Sequence, residues 1–248
     1  MIILPAIGAK IVVRPGSYGL RRVGKVADPK QNKFWDAIYH TLRESGMFNF
    51  PIKKSSDSIN PYFGNFGMRW HPKLMKPNYF HIGVDIKDKL NAKIYPVADG
   101  ILEYSGMGVV DGRYVFLSHP EIKTEDGFVL YSLYMHLSEY KVKFTKYQKM
   151  LREVSLHTYP NISIKKDRPV GLMGDTGDGA GYAHLHLQME FRNKKGDIVA
   201  IDPSIIIGAE QKENSSAAIR SKKKFLEFAK ENEADLMHWR DGSVSWGR

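Results

Sequence analysis

His184-Leu185-His186-Leu187-Gln188-Met189-Glu190-Phe191 places a polar side chain at every second position. In an extended strand, side chains two residues apart share a face and lie about 6.6 Å apart, so His184 and His186 reach into the same space. Gln188 and Glu190 continue that polar face, and Leu185 and Leu187 fall on the other. A strand so patterned has a core on one side and borders a cleft on the other.

The surrounding chain has the same character. From 62 to 203 it breaks into short β-rich runs punctuated by glycine, at 82–86, 94–98, 101–104, 114–118, 129–137, 170–173 and 185–191. Runs this short and closely spaced predict a mostly antiparallel β domain. Within it, 141–166 is long, basic and without a period, and reads as an elaborated loop with a short helix near 146–154. Long loops in compact domains tend to border sites.

Upstream, Asp28-Pro29 has the chemistry of an N-cap and first helical residue, Phe34, Ile38 and Leu42 recur at four-residue intervals, and Gly46 supplies a stop. A helix over 29–45 is predicted. The β-branched runs 11–13 and 23–26 suggest short strands or loops, and Asn60-Pro61 marks a boundary. Beyond 203, Ala218, Ile219, Phe225, Leu226 and Ala229 share one helical face. The expected fold class is mainly β with peripheral helices. It has an N-terminal extension, 1–60, with one helix, a β domain, 61–203, and a partly helical C-terminal extension, 204–248.

Composition narrows the chemistry. The chain has 248 residues, 42% of them hydrophobic and 26% charged, which is enough for one principal core. With no cysteine, disulfides, thiolate metal sites and cysteine nucleophiles are excluded, so any metal is held by His, Asp or Glu. The apolar start, 1–7, is interrupted by Pro5 and followed by Lys10, so no secretory signal is expected, and no run reaches the roughly 20 apolar residues of a membrane-spanning helix. The net charge of +10 favours polyanionic partners. Because the basic residues are scattered and no aromatic-basic motif accompanies them, specific nucleic-acid binding is not expected.

A second pairing, His81 and Asp85 in His81-Ile82-Gly83-Val84-Asp85, stands beside His184 and His186. Residues four apart on a straight strand lie about 13 Å apart, so a bend is needed for both to face one ion. Gly83 supplies a permissive backbone for it, and with Ile82, Val84 and Ile86 it opposes a helix. Imidazole and carboxylate suit zinc, whose catalytic sites take three protein ligands and leave a fourth position to water. The residues alone do not say which of His184 and His186 would be the ligand.

Seven blocks in order make a family resemblance specific. They are Phe66-Gly67-Met68-Arg69-Trp70-His71-Pro72, His81-Ile82-Gly83-Val84-Asp85-Ile86, Pro96-Val97-Ala98-Asp99-Gly100, Tyr134-Met135-His136-Leu137, Gly171-Leu172-Met173-Gly174-Asp175-Thr176-Gly177, His184-Leu185-His186-Leu187 and Asp202-Pro203. Over 64–203 the chain resembles the lysostaphin/LytM-type zinc metallopeptidases. The resemblance implies an antiparallel β-sheet scaffold with a groove and hydrolysis of peptidoglycan stem peptides or cross-bridges at the bacterial cell wall. It implies one Zn2+ held by His81, Asp85 and His186, with His136 and His184 as the catalytic histidines beside the activated water. Anionic wall polymers, phage tail proteins and cell-envelope proteins are the further partners considered. The competing reading is a non-catalytic or virion-associated structural protein that uses this fold for cell-wall binding. All five key positions are intact, which favours a working enzyme.

Other motifs receive plainer readings. No HExxH helix is present, so a glutamate base of the thermolysin kind is not available. His119 follows the predicted strand 114–118 and closes it, His71 sits in a turn beside Pro72, and His40, His157 and His238 lie outside the matched blocks. The glycine-rich 174–179 lacks the spacing and lysine of a P-loop and reads as a groove-edge turn leading to the His-Leu-His strand.

Overall fold

The computed structural model describes residues 1–7, 25–27, 33–53, 66–71, 76–142, 162–178 and 180–208. Among these the chain runs through β1 (Ile2–Leu4), β2 (Lys25–Ala27), α1 (Lys33–Glu44), β3 (Gly67–His71), β4 (Lys76–His81), β5 (Gly83–Ile86) and β6 (Lys93–Ile94). It continues through β7 (Gly100–Gly108), β8 (Gly112–Thr124), β9 (Val129–Leu137), β10 (Glu139–Tyr140), β11 (Ile162–Ile164), β12 (Gly171–Leu172), β13 (Leu185–Arg192), β14 (Ile198–Ile201) and α2 (Pro203–Ile206). The fold is mainly antiparallel β with peripheral helices, and no described helix is long and apolar enough to cross a membrane.

The principal sheet has the order β11-β7-β8-β9-β13-β14-β2, with β1 added to β8 and β5 to β13. Its pivot is β13, the strand of alternating polar and apolar residues. One side of β13 pairs with β9 from His186 to Arg192. The other is shared, its first half pairing with β5 and its second with β14. Both backbone edges of β13 are thereby occupied, which satisfies its N–H and C=O groups and fixes which way each side chain points.

Alternation sorts the two faces. Leu185, Leu187, Met189 and Phe191 enter the main core, joined by Val115 and Leu117 of β8 and by Leu130 and Tyr134 of β9. Phe116, Leu133 and Met135 form a smaller cluster on the opposite face, the one that carries the polar residues of β13. Burial of each such large apolar side chain contributes about 2 kcal/mol.

The N-terminal segments share this core. Leu4 and Ile7 are buried in it, and β1 pairs in parallel with Ile122–Thr124 of β8. The described part of the predicted helix spans Lys33–Glu44, and Gly46 follows it at φ +65°, the left-handed stop that glycine permits. Its core face is Trp35, Ile38, Tyr39 and Leu42, with Phe34 half-buried at the margin. The Tyr39 hydroxyl accepts the Asp202 N–H at 2.6 Å, tying the helix to the start of α2. There Asp202 caps the Ser204 N–H at 2.9 Å and Pro203 opens the helix, which explains the Asp-Pro block locally.

Some expectations change. The run 94–98 contributes strand only through Ile94. Val97 gives its N–H to the Tyr134 hydroxyl and its carbonyl to the Asn49 N–H, so it is buried without joining a ladder. The strand expected over 114–118 extends to Thr124, and His119 lies inside it and does not close it. The predicted helices near 146–154 and beyond 214, and the run 11–13, lie outside the described residues.

Candidate active site

The register of β13 with β5 sets the first contact. Asp85 lies directly opposite His186, so the two side chains emerge side by side on one face. His186 Nδ1 is 2.9 Å from Asp85 Oδ1. His81, the last residue of β4, is separated from β5 only by Ile82, and its Nε2 lies 3.2 Å from Asp85 Oδ1 and 2.9 Å from His186 Nδ1. Three donor atoms from three strands therefore surround one point.

The expected role of Gly83 changes in kind. It is not among the positive-φ residues, and the break falls at Ile82. A Cβ at position 83 would meet the Leu187 carbonyl oxygen at 2.5 Å and His186 Nε2 at 2.6 Å. Glycine is needed there to let the His186 ring lie against the backbone, not to bend it.

Burial pushes the Asp85 carboxyl towards neutrality, but His81 and His186 beside it outweigh burial and hold it well below the usual carboxylate range. The site thus offers an anionic oxygen and two imidazole nitrogens. A tetrahedral zinc with bonds of about 2.0–2.1 Å holds its donors roughly 3.3–3.4 Å apart, within a few tenths of an ångström of the spacing here. His81, Asp85 and His186 fit a zinc ion in atom type, number and spacing.

His184 and His136 flank this group. His184 shares the face of His186, and its Nε2 is 3.7 Å from Asp85 Oδ1. Its Nδ1 lies 2.8 Å from the Tyr182 carbonyl, and the Tyr182 ring stacks on it with centroids 4.6 Å apart. A carbonyl only accepts, so Nδ1 carries the proton and the neutral ring keeps its lone pair at Nε2.

His136 reaches the site by a different route. Leu130 and Tyr134 of β9 face the main core and Leu133 and Met135 the other face, so regular alternation would send His136 into the core. Instead Arg113 opposes Leu137 while Val115 opposes Tyr134, so β9 carries one extra residue against β8, a β-bulge. His136 takes φ +62°, a left-handed backbone costing a non-glycine residue about 1 kcal/mol. This turns the ring to within 4.6 Å of the His184 ring and 6.2 Å of the His186 ring. Its Nδ1 donates to the Thr176 carbonyl at 2.9 Å. Burial, reinforced by the neighbouring His186 and His184, pushes its pKa down to about 4.

One loop between β12 and β13 thus holds both flanking histidines, Thr176 receiving one Nδ1 proton and Tyr182 the other. Neither residue was singled out from the sequence. A backbone carbonyl acceptor leaves no side-chain signature, and Thr176 enters the sequence reading as a member of the block 171–177 and of the glycine-rich 174–179, with no role of its own. Among the remaining histidines, His119 is buried on the core face and stands apart from this group.

The model of Peptidase family M23 matches residues 79–203, half of the chain. No curated protein matches it. Solved structures similar to it include a zinc-containing peptidase from Vibrio cholerae, 21% identical with a TM-score of 0.43, the match covering 66% of this chain and 40% of that one. They also include the catalytic domain of the antimicrobial peptidase lysostaphin from Staphylococcus simulans, 21% identical with a TM-score of 0.38, covering 59% and 90%. The matched part of this chain spans less than half the length of the Vibrio protein.

Proposed function

Since this chain belongs to peptidase family M23, we propose that it is a zinc metalloendopeptidase that hydrolyses peptide bonds in bacterial peptidoglycan, in stem peptides or cross-bridges. His81, Asp85 and His186 are its metal ligands, and His136 and His184 its catalytic histidines. One observation carries the reading: His81 Nε2, Asp85 Oδ1 and His186 Nδ1 lie within 3.2 Å of one another, with the carboxylate kept ionised. The seven-block resemblance supports peptidoglycan as the substrate, and therefore the cell wall as the place of action.

Zinc held there supplies a Lewis acid that polarises the scissile carbonyl and lowers the pKa of water to about 7. The protein supplies the proton handling. His136 and His184 each have Nδ1 committed to a carbonyl, so each presents Nε2 as the atom that accepts a proton from the attacking water or returns one to the departing amine. The depressed pKa of His136 keeps its ring neutral at pH 7, with the Nε2 lone pair free of a proton. Once protonated, either ring can donate a hydrogen bond to the developing oxyanion. The charge of +10 draws the protein to anionic wall polymers, an attraction that weakens as salt rises.

The test is to measure zinc by elemental analysis of the purified chain and to weigh the fragments it releases from peptidoglycan of known cross-link chemistry by mass spectrometry. Stoichiometric zinc and new peptide termini are expected. A metal-loaded chain that binds the wall and releases nothing points instead to the non-catalytic reading.

A further inference from the structure

The bulge that delivers His136 is held open by a third strand of contacts. Where Arg113 of β8 faces Leu137 of β9, the Thr176 hydroxyl stands between the two backbones. It accepts the Arg113 N–H at 2.9 Å and donates to the Leu137 carbonyl at 2.8 Å. The carbonyl of the same residue accepts the His136 Nδ1 proton. Thr176 therefore splices the ladder beside the bulge with its side chain and orients the bulged residue with its backbone.

The glycines around it exist for this approach. A Cβ on Gly112, which has φ +62°, would lie 2.0 Å from the Thr176 carbonyl oxygen. One on Gly177, at φ +86°, would lie 2.3 Å from the Gly112 nitrogen. One on Gly174 would lie 2.3 Å from the Ser138 nitrogen and 2.5 Å from the His136 carbonyl oxygen. Backbone packs on backbone on both sides of His136, and the His136 N–H is itself taken by the Asp111 carbonyl at 3.0 Å.

We propose that Thr176 is a positioning residue for the hydrolysis: its hydroxyl locks the loop 174–178 against the β8–β9 bulge, so that its carbonyl holds His136 in the Nδ1–H tautomer with Nε2 turned to the reacting atoms. A threonine serves because one hydroxyl can accept and donate at once, bridging an N–H and a C=O that the bulge has pulled apart. Valine has the same shape and can do neither. Serine keeps the bridge. The proposal rests on the peptidase reading for its catalytic consequence, but its structural content stands apart from turnover.

The experiment uses the zinc-loaded chain of 248 residues and compares wild type with Thr176→Val and Thr176→Ser. Long-range 1H–15N correlation spectra report the His136 tautomer, elemental analysis the zinc, and cleavage of a defined cross-linked peptide kcat and KM. Wild type shows a single Nδ1–H tautomer at His136. Thr176→Val mixes the two tautomers and loses about tenfold to a hundredfold in kcat, with KM and zinc content unchanged, because a misplaced proton acceptor costs rate and not binding. Thr176→Ser restores both signals. A Thr176→Val protein with a single tautomer and wild-type kcat overturns the proposal, as does a wild-type His136 protonated at Nε2, which needs no variant to fold. If wild type cleaves no peptide the peptidase reading fails, and the tautomer spectra still decide the strut.

Discussion

His119 and His186 are buried histidines on neighbouring parts of one sheet, 0% and 8% exposed, and they differ in what their ring nitrogens meet. On the core face, His119 Nδ1 donates to the Asp99 carbonyl at 2.8 Å, and Nε2 lies 2.8 Å from the Ser132 hydroxyl. Since Nδ1 holds the proton, Nε2 accepts from Ser132. The contact of 3.0 Å between the Ser132 and Tyr134 hydroxyls then carries the tyrosine's proton, and the Tyr134 oxygen accepts the Val97 N–H at 2.8 Å. Every donor in that chain has an acceptor and no cation is called for. On the opposite face, His186 Nδ1, His81 Nε2 and Asp85 Oδ1 converge to within 3.2 Å of one another. Such a group is stable only around a proton or a metal ion. Burial does not tell these two surroundings apart, but what the ring nitrogens meet does.

The sharpest way to break this contrast is Asp85→Ala. Removing the anionic donor leaves two imidazoles, and bound zinc and peptide cleavage should be lost together, a drop of about 10³-fold or more in rate. Zinc retained at full stoichiometry would remove Asp85 from the ligand set. His184→Ala should separate the two properties, keeping zinc while cleavage falls about 10²–10³-fold, because the residue is given a proton-handling role and no ligand role. Gly83→Ala comes next: its Cβ drives against the His186 ring and the Leu187 carbonyl, so zinc affinity measured by chelator competition should fall up to about a hundredfold with the fold retained. Unchanged affinity would mean that the His186 ring tolerates displacement.

What could be read in advance follows the range of the interactions. The alternation of 184–191 is local, and it correctly gave a strand with His184 and His186 on one face. That Asp85 would lie opposite His186 is a matter of register between strands a hundred residues apart, for which composition and periodicity carry no term. His136 is a stronger case. Local alternation points it into the core, and only the family resemblance placed it at the site, because a bulge with positive φ is fixed by the neighbouring strand and loop. Leu4 and Ile7 of the N-terminal apolar run are core residues, and β1 pairs with Ile122–Thr124, a strand partner that no local pattern names. Gly83 was read for its freedom, and its use is its smallness.

The smallest effect comes from the core-face histidine. Burial pushes the His119 pKa down to about 4, against about 6.5 in an unfolded chain, while the nearby Asp99 acts weakly in the opposite sense. Between those values the unfolded chain binds a proton that the folded one refuses. The stability of the neutral ring is therefore fully present above about pH 6.5 and is lost as pH falls towards 4. By pH 5 this amounts to about 2 kcal/mol, roughly thirtyfold in the folding equilibrium. Urea unfolding of wild type and His119→Gln at pH 7 and pH 5 reads the contribution as a difference, so that groups titrating elsewhere cancel. Wild type should lose about 2 kcal/mol more than the variant over this range. Equal losses in the two proteins would mean that His119 is protonated in the folded state at pH 5, and the Ser132 contacts with His119 and Tyr134 would then need their proton directions reversed.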